Sequence, residues 1–377
     1  MSRRVRLAAL ALAVAVVARP ASAQYSLGGG VDYLGYSFQD GLGVESAQLL
    51  MVPAALRLPV GGGLTFDIYS AWAEGRVETS GSRLVLSGPV DTSVKASYQA
   101  TPWALLSVGV NIPTGKSAHT AEEAAVASVL ATDLLGFGEA SWGTGFAVTS
   151  SVATAVAAGG FGLGVAGAYS VRNDFESTEG DPTRYKPGSE ARVRVGIDRN
   201  FGASTLTLGG TFMNYAADRE DGVNLFQAGN RLRFDASYAF RAGDGVWTLY
   251  AADVIRENGD LTLDVVDGVG TIVGDTTIVT ARQSMIQGGL IGTLGLGGGF
   301  MFRPHFDFRY QMREEDDGDT AGTGWMFGAG GDIPLRVFGG TELFPKARVY
   351  FGSIRDPNGI DVSVFGLELK GTLRWIF

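Results

Sequence analysis

Cysteine is absent from the 377 residues. That excludes a disulfide framework, thiolate metal sites and a cysteine nucleophile. Histidine is scarce too, with His119 and His305 the whole supply. A hydrolytic Ser/His/acid site would have to use one of them. Beyond the first two dozen residues there is no apolar run of the ~20 residues that a membrane-spanning helix takes, so none is expected. The segment PTGKS (113–117) imitates the end of a phosphate loop, but Val110 stands where that motif needs glycine, and nucleotide binding is set aside. The acidic run EEDDGD (314–319) lacks the spacing of a calcium loop and reads as a solvated tip. No cofactor, no metal and no nucleic-acid partner is expected, and the chain reads as a non-enzyme.

What is present begins with MSRRVRLAALALAVAVVARPASAQ. Arg3, Arg4 and Arg6 precede an apolar stretch of about 12 residues and then ARPASA, the layout of a secretory signal peptide cut after Ala23. The expected organisation is a signal peptide over 1–23 and one domain over 24–377. Without the leader, 26 basic residues face 39 acidic ones, a formal charge of −13. Glycine is abundant, 56 of 377, while hydrophobic content stays at 45% and no Gly-X-Y period exists. Glycine in that setting means many tight turns, and many turns mean many strands.

Period-two segments supply them. In RLRFDASYAFR (231–241), Leu232, Phe234, Ala236, Tyr238 and Phe240 oppose Arg231, Arg233, Asp235, Ser237 and Arg241. FMFRPHFDFRYQM (300–312) sets Phe302, Phe306, Phe308 and Tyr310 against Arg303, His305, Asp307 and Arg309. About sixteen such segments are read, near 28–38, 46–58, 63–78, 90–100, 103–112, 141–156, 161–174, 188–199, 203–217, 227–241, 245–257, 278–294, 299–312, 323–334, 343–354 and 362–377. Short glycine turns alternate with longer polar connections at 113–140, 175–187, 218–226, 258–277 and 313–322. The alternation runs too long for a soluble sandwich and suits a band of roughly 25 Å crossed at a tilt. The expected fold is all-β: a closed antiparallel transmembrane β-barrel of about sixteen strands, or fourteen if 24–40 is a plug, in the bacterial outer membrane. Its expected surroundings are outer-membrane lipid. Two similar hairpins, 186–210 and 227–251, hint weakly at a repeat.

On this map the polar faces turn inward. They carry Arg57, Lys95, Arg192, Arg194, Arg231, Arg233, Arg241, Arg303, Arg309, Lys346, Arg348, Lys370 and Arg374, against Asp67, Asp91, Asp198, Asp235, Asp307, Asp332 and Glu368. Basic side chains at i and i+2 stand ~7 Å apart, which a dry interior does not tolerate without counter-charge. Two readings stay open: a water-filled, anion-tolerant passage for a small-molecule solute, or an ion-pair lattice that closes a structural or hydrolytic barrel. His305 falls on the inward face, where its ordinary role is a lumen-lining polar group. The two faces are not expected to become apolar together.

The connection 113–140 is unusual. Thr120 can cap a helix with Glu122 and Glu123 in its first turn, and Ala125, Val126, Val129, Leu130 and Leu134 form an apolar stripe. Such a stripe must be buried, as a constriction inside the barrel, in a surface groove around an apolar ligand, or by simple packing on the rim. WALLSVGVNIPTGKSAHT (103–120), followed by GFAVTSSVATAVAAGGFGLGVAGAYS (145–170), resembles outer-membrane transporters of hydrophobic compounds of the fatty acid and toluene type. It is also similar to barrels associated with phenol degradation. The resemblance implies uptake of hydrophobic compounds. The Asn-Pro-Ala plug motif of the fatty-acid transporters is missing here. The ending GTLRWIF, with Leu373, Trp375 and Phe377 alternating, matches the general outer-membrane barrel signature and implies recognition by the barrel-insertion machinery.

Overall fold

The structure, a computed structural model, describes residues 24–39, 42–139, 141–266, 272–314, 320–355 and 359–377. The expected signal peptide and residues 315–319 of the acidic run lie outside the described residues.

Alternation of side chains along each strand builds a wall with two unlike faces. The wall begins with β1 (Ser26–Phe38), β2 (Ser46–Gly61) and β3 (Leu64–Thr79). A fourth stave is broken at Val90 and Asp91 into β4 (Ser82–Pro89) and β5 (Thr92–Thr101). Then come β6 (Ala104–Ile112), helix α1 (Ala121–Leu130), β7 (Ala147–Ala158) and β8 (Phe161–Arg172). The short strands β9 (Phe175–Glu176) and β10 (Arg184–Lys186) leave the wall, and β11 (Glu190–Phe201) and β12 (Ser204–Tyr215) rejoin it. The same happens with β13 (Asp218–Glu220) and β14 (Val223–Gln227) before β15 (Arg231–Ala242) and β16 (Gly245–Arg256). It happens again with β17 (Gly259–Val266) and β18 (Ile272–Thr280) before β19 (Gln283–Gly297) and β20 (Phe300–Glu314). Next, β21 (Thr320–Asp332) is continued by β22 (Leu335–Phe338), and β23 (Thr341–Arg355) and β24 (Asp361–Ile376) complete the ring.

β24 pairs with β1 antiparallel from Ser26↔Ile376 to Phe38↔Val364, which closes sixteen staves without a free edge among the described residues. Closure satisfies every stave's backbone within the wall, as hydrocarbon surroundings require. One rim has turns of two residues; Gly202 and Gly243, at φ of +62° and +59°, take the left-handed conformation those turns need. The other rim carries the long connections. The outward face is apolar and exposed, including Val193, Val195, Phe234, Leu249, Phe306, Phe308, Phe351 and Leu369. An exposed apolar girdle on a closed barrel with short turns at one rim and long loops at the other is the architecture of a membrane-spanning barrel. No helix among the described residues is long and apolar enough to cross a membrane.

Three expectations are corrected. Residues 141–146 are not the start of a strand: β7 begins at Ala147, because Trp142 turns inward and donates its indole N–H to the Ala73 carbonyl at 2.9 Å. The connections 175–187, 218–226 and 258–277 are not plain loops. They hold β9, β10, β13, β14, β17 and β18, which pair into a second sheet of six strands standing on the long-loop rim. And the two faces do become apolar together in the outer half of β2. Leu49 and Met51 are buried on the inside while Val52 is exposed outside.

Candidate functional site

The site is the barrel's interior, divided by the 113–146 connection. Its geometry starts at Asp91, in the break between β4 and β5. The buried carboxylate accepts hydrogen bonds from Gly115 N (3.0 Å) on one side, and from Thr144 N (2.8 Å) and Asn111 Nδ2 (2.9 Å) on the other. Both ends of the connection are thus pinned by one side chain.

From that root the chain runs to α1. Thr120 Oγ1 accepts from Glu123 N at 3.3 Å and Glu123 Oε2 accepts from Thr120 N at 3.0 Å, a reciprocal capping box. Lys116 Nζ reaches both Glu123 oxygens at 2.7 Å. Partial burial of Glu123 opposes ionisation, yet the Lys116 hydrogen bond, the Thr120 N–H and the Lys116 charge together hold its carboxyl below the usual range. The Glu123 hydrogen bond, working against partial desolvation, lifts Lys116. His119 is pushed down by burial, and its backbone bridges to Thr178 of the 173–189 connection.

The apolar stripe has definite partners. Val126 and Leu130, with Trp142, pack on Ala47, Leu49 and Met51 of β2, Ala71, Ala73 and Val77 of β3, and Leu86 of β4, with Val129 at the margin. Leu134 and Leu135 pack on Tyr36, Met326, Tyr350 and Val364 of β1, β21, β23 and β24. Three polar contacts extend the span. Arg256 Nη2 on β16 meets Asp133 Oδ2 at 2.9 Å, Arg309 Nη1 on β20 donates to Leu134 O at 3.0 Å, and Tyr36 Oη donates to Leu135 O at 2.7 Å. Counted around the ring, β3 is the third stave and β16 the eleventh, so the connection touches opposite walls. Only a segment inside the barrel can do so. Gly324 makes this fit possible, since a Cβ there would lie 2.9 Å from the Ser353 carbonyl and press on Leu134 as well.

These contacts identify the inward face and locate the charged residues read from the sequence. On β20–β24 the groups form a continuous network. Arg303 Nη2 lies 2.5 Å from Asp332 Oδ1, and His305 Nε2 lies 2.7 Å from Asp332 Oδ2. His305 Nδ1 faces Arg348 Nη2 at 2.9 Å, and Arg348 Nη1 reaches Asp307 at 3.0 Å. Arg309 stands 3.8 Å from Asp307, Lys346 bonds Glu368, and Tyr350 donates to Glu368 at 2.8 Å. Since guanidinium has no acceptor, His305 Nδ1 must accept, which places its proton on Nε2 toward Asp332. His305 is thus held by two partners and is not poised over a nucleophile. Lower on this wall Arg374 pairs with Glu342.

The second set lies across the lumen on β11 and β15. Arg194 makes a bidentate pair with Asp235 at 2.7 and 2.8 Å, and Arg233 stands 3.7 Å from the same carboxylate. Arg192 and Arg172 share Glu190, and Arg231 lies 5.7 Å from the Tyr215 ring centre. The acids Asp32, Glu190 and Glu342 escaped the sequence map, though each occupies an inward parity position. The signal that finds them is register, because each faces a base on the neighbouring strand or on its own. The terminal residues Leu373, Trp375 and Phe377 point to the exterior, with the Trp375 and Phe377 rings 4.7 Å apart. Among the described residues no cluster of His, Cys, Asp and Glu could hold a metal ion.

Fold and site together define a membrane-spanning β-barrel of the outer-membrane class, with a loop folded into its lumen. No family model matches the chain, and no curated protein matches it in sequence. Among solved structures it is similar to OmpT, an outer membrane protein of Vibrio cholerae, at 10% identity and a TM-score of 0.43, covering 96% of this chain and 100% of that one. It is also similar to the COG4313 outer membrane channel from Pseudomonas putida F1, at 14% identity and 0.39, covering 72% and 96%. A third is OpdK of Pseudomonas aeruginosa with vanillate, at 10% and 0.41, covering 93% and 99%. At these values the likenesses carry no argument about what this chain does.

Proposed function

We propose that the protein is an outer-membrane channel for small solutes, with an anion-attracting passage along the β6–β15 side of the lumen. One observation carries this reading: the cations in the middle of the network have less access to water than those on β11 and β15. In the middle of the network wall, Arg348, Arg309 and Lys346 side chains are 13, 17 and 20% exposed, while Arg303, Lys370 and Arg374 on the same side are 36, 37 and 49% exposed. On the opposite wall, Arg192, Arg194 and Arg233 are 51, 42 and 44% exposed. The first set is spent on its carboxylates and on the loop. The second keeps free N–H donors toward the lumen.

The loop's hydrophobic contacts fall on β1–β4 and β21–β24. The facing staves β6, β7 and β8 present small side chains inward, among them Ser107, Thr149, Ser151, Ala168 and Ser170. Space is therefore left where the exposed arginines stand. The two possibilities left open by composition coexist in this reading, a lattice on one wall and a passage along the other. Use of the loop stripe as a ligand groove is disfavoured, because Val126, Leu130 and Leu134 are spent on the wall.

Single-channel recording in planar bilayers tests the reading. Reversal potentials under a salt gradient should show anion preference, reduced in an Arg192→Ala/Arg194→Ala/Arg233→Ala variant. Absence of conductance steps, or a preference for cations, overturns it.

A further inference from the structure

Under the loop, against β24, β1 and β2, lies a half-open chamber of about 130 Å³. Leu34, Leu49 and Met51 form its apolar wall, Gly136 and Gly138 its roof, and Asp32 and Glu368 its polar side. An apolar cavity of roughly 150 Å³ holds benzene, so this slightly smaller one takes a single six-membered ring with part of it in the open mouth.

The charge state of an occupant follows from the two carboxylates. Glu368 is fully engaged, with Lys346 on one oxygen and Tyr350 Oη on the other. Asp32 gives Oδ2 to Lys370 Nζ at 2.6 Å, and Oδ1 remains to accept. Each acid already has its cation. Arg309, which lies against Gly136, is committed to Leu134 O and Asp307. A further cation would bring an uncompensated charge into a mostly apolar chamber, and an anion would face two carboxylates with each nearby cation already paired. A neutral molecule with one donor meets neither cost.

We propose that this chamber binds a small neutral alcohol, a compact apolar ring or branched alkyl body whose hydroxyl donates to Asp32 Oδ1. The site is separate from the arginine wall, and it stands whether or not the passage conducts.

Three probes with one ring and different charge test it: cyclohexanol, cyclohexanecarboxylate and cyclohexylammonium. Each is titrated by saturation-transfer NMR against the full barrel in detergent. Cyclohexanol should bind about tenfold tighter than either ion, about 1.4 kcal/mol. Gly138→Leu supplies the structural arm. A Cβ at Gly138 meets only Met51 Sδ, at 4.0 Å, so a side chain fits there and grows into the chamber. The variant should lose cyclohexanol binding and keep the anion preference of the parent. Gly138→Ala, which leaves most of the volume, should still bind. Tighter binding of either ion, or unchanged binding by a folded Gly138→Leu barrel, overturns the assignment. Loss of anion conductance with binding intact would count against the passage alone.

Discussion

Replacing Asp91 by alanine should release the loop from the lumen while leaving the barrel closed. The carboxylate holds Gly115 N, Thr144 N and the Asn111 amide, and the residue is 7% exposed. Asn111 has a second acceptor in Gly145 O at 3.2 Å, so its loss is partly covered. The two backbone N–H groups lose bonds to a charged acceptor, each contributing about 1.5–3 kcal/mol. The local opening free energy of 113–146 should therefore fall by about 3–6 kcal/mol. Amide hydrogen exchange over the loop then accelerates by a factor on the order of 10²–10⁴, with protection of β6 and β7 maintained. Asp91→Asn discriminates further. An amide has one acceptor oxygen and presents its NH₂ where the second acceptor stood, so it should recover only part of the protection. Loop protection unchanged in Asp91→Ala would refute the idea that this side chain is the clasp. The loop would then be held by its apolar face alone.

Leu130→Ala, which empties a fully buried position between α1 and β2–β4, should cost about 2–5 kcal/mol of loop stability, again read by exchange. Thr120→Ala removes the capping box and should cost about 1 kcal/mol, visible as faster exchange at Ala121–Glu123. Glu123 is held below its usual range, so its contribution is present above the unfolded carboxylate pKa and lost as pH falls through the lower folded value. Loop protection should thus be flat from neutral pH to about 5 and drop only below about 4, and Glu123→Gln should reduce that dependence to what the other loop carboxylates, Asp91 and Asp133, leave. The Asp133–Arg256 pair is partly exposed, 44 and 35%, so a double-mutant cycle should give a coupling of only about 0.2–1 kcal/mol.

The wall was legible because lipid enforces a simple rule. An outward position must be apolar, and where the inward one is wet, alternation is complete. Segments such as 231–241 and 300–312 obey it and correspond to β15 and β20. The helix was legible from Thr120 and Glu123, whose chemistry is local. What escaped was whatever depended on a partner remote in sequence. Trp142 looks like a strand residue until Ala73 and Leu86 surround it. In the outer sheet β9, β10 and β13 have two or three residues, too few for alternation to show, and only β17 and β18 are long enough to display it. Asp32 and Glu190 stand at inward parity positions, but their importance comes in large part from Lys370 and Arg172, which only the register brings close.

The stretch QLLMV (48–52) shows how a departure from alternation specifies the loop. Leu50 and Val52 face lipid, and Leu49 and Met51 face inward. An inward apolar pair beside Ala71, Ala73, Val77 and Leu86 cannot stay in contact with a water-filled lumen without cost, since each large side chain left exposed forgoes about 1.5–3 kcal/mol. The chain supplies its own cover in Val126, Leu130 and Trp142. The side of the barrel with apolar residues on both faces is the side where the loop lies, and the side with arginines on β11 and β15 is where it does not. A closed barrel has no other place to put an inward apolar patch. Where QLLMV-like runs fall on the staves determines which half of the lumen is filled, and the rest of the wall is left to line whatever passes.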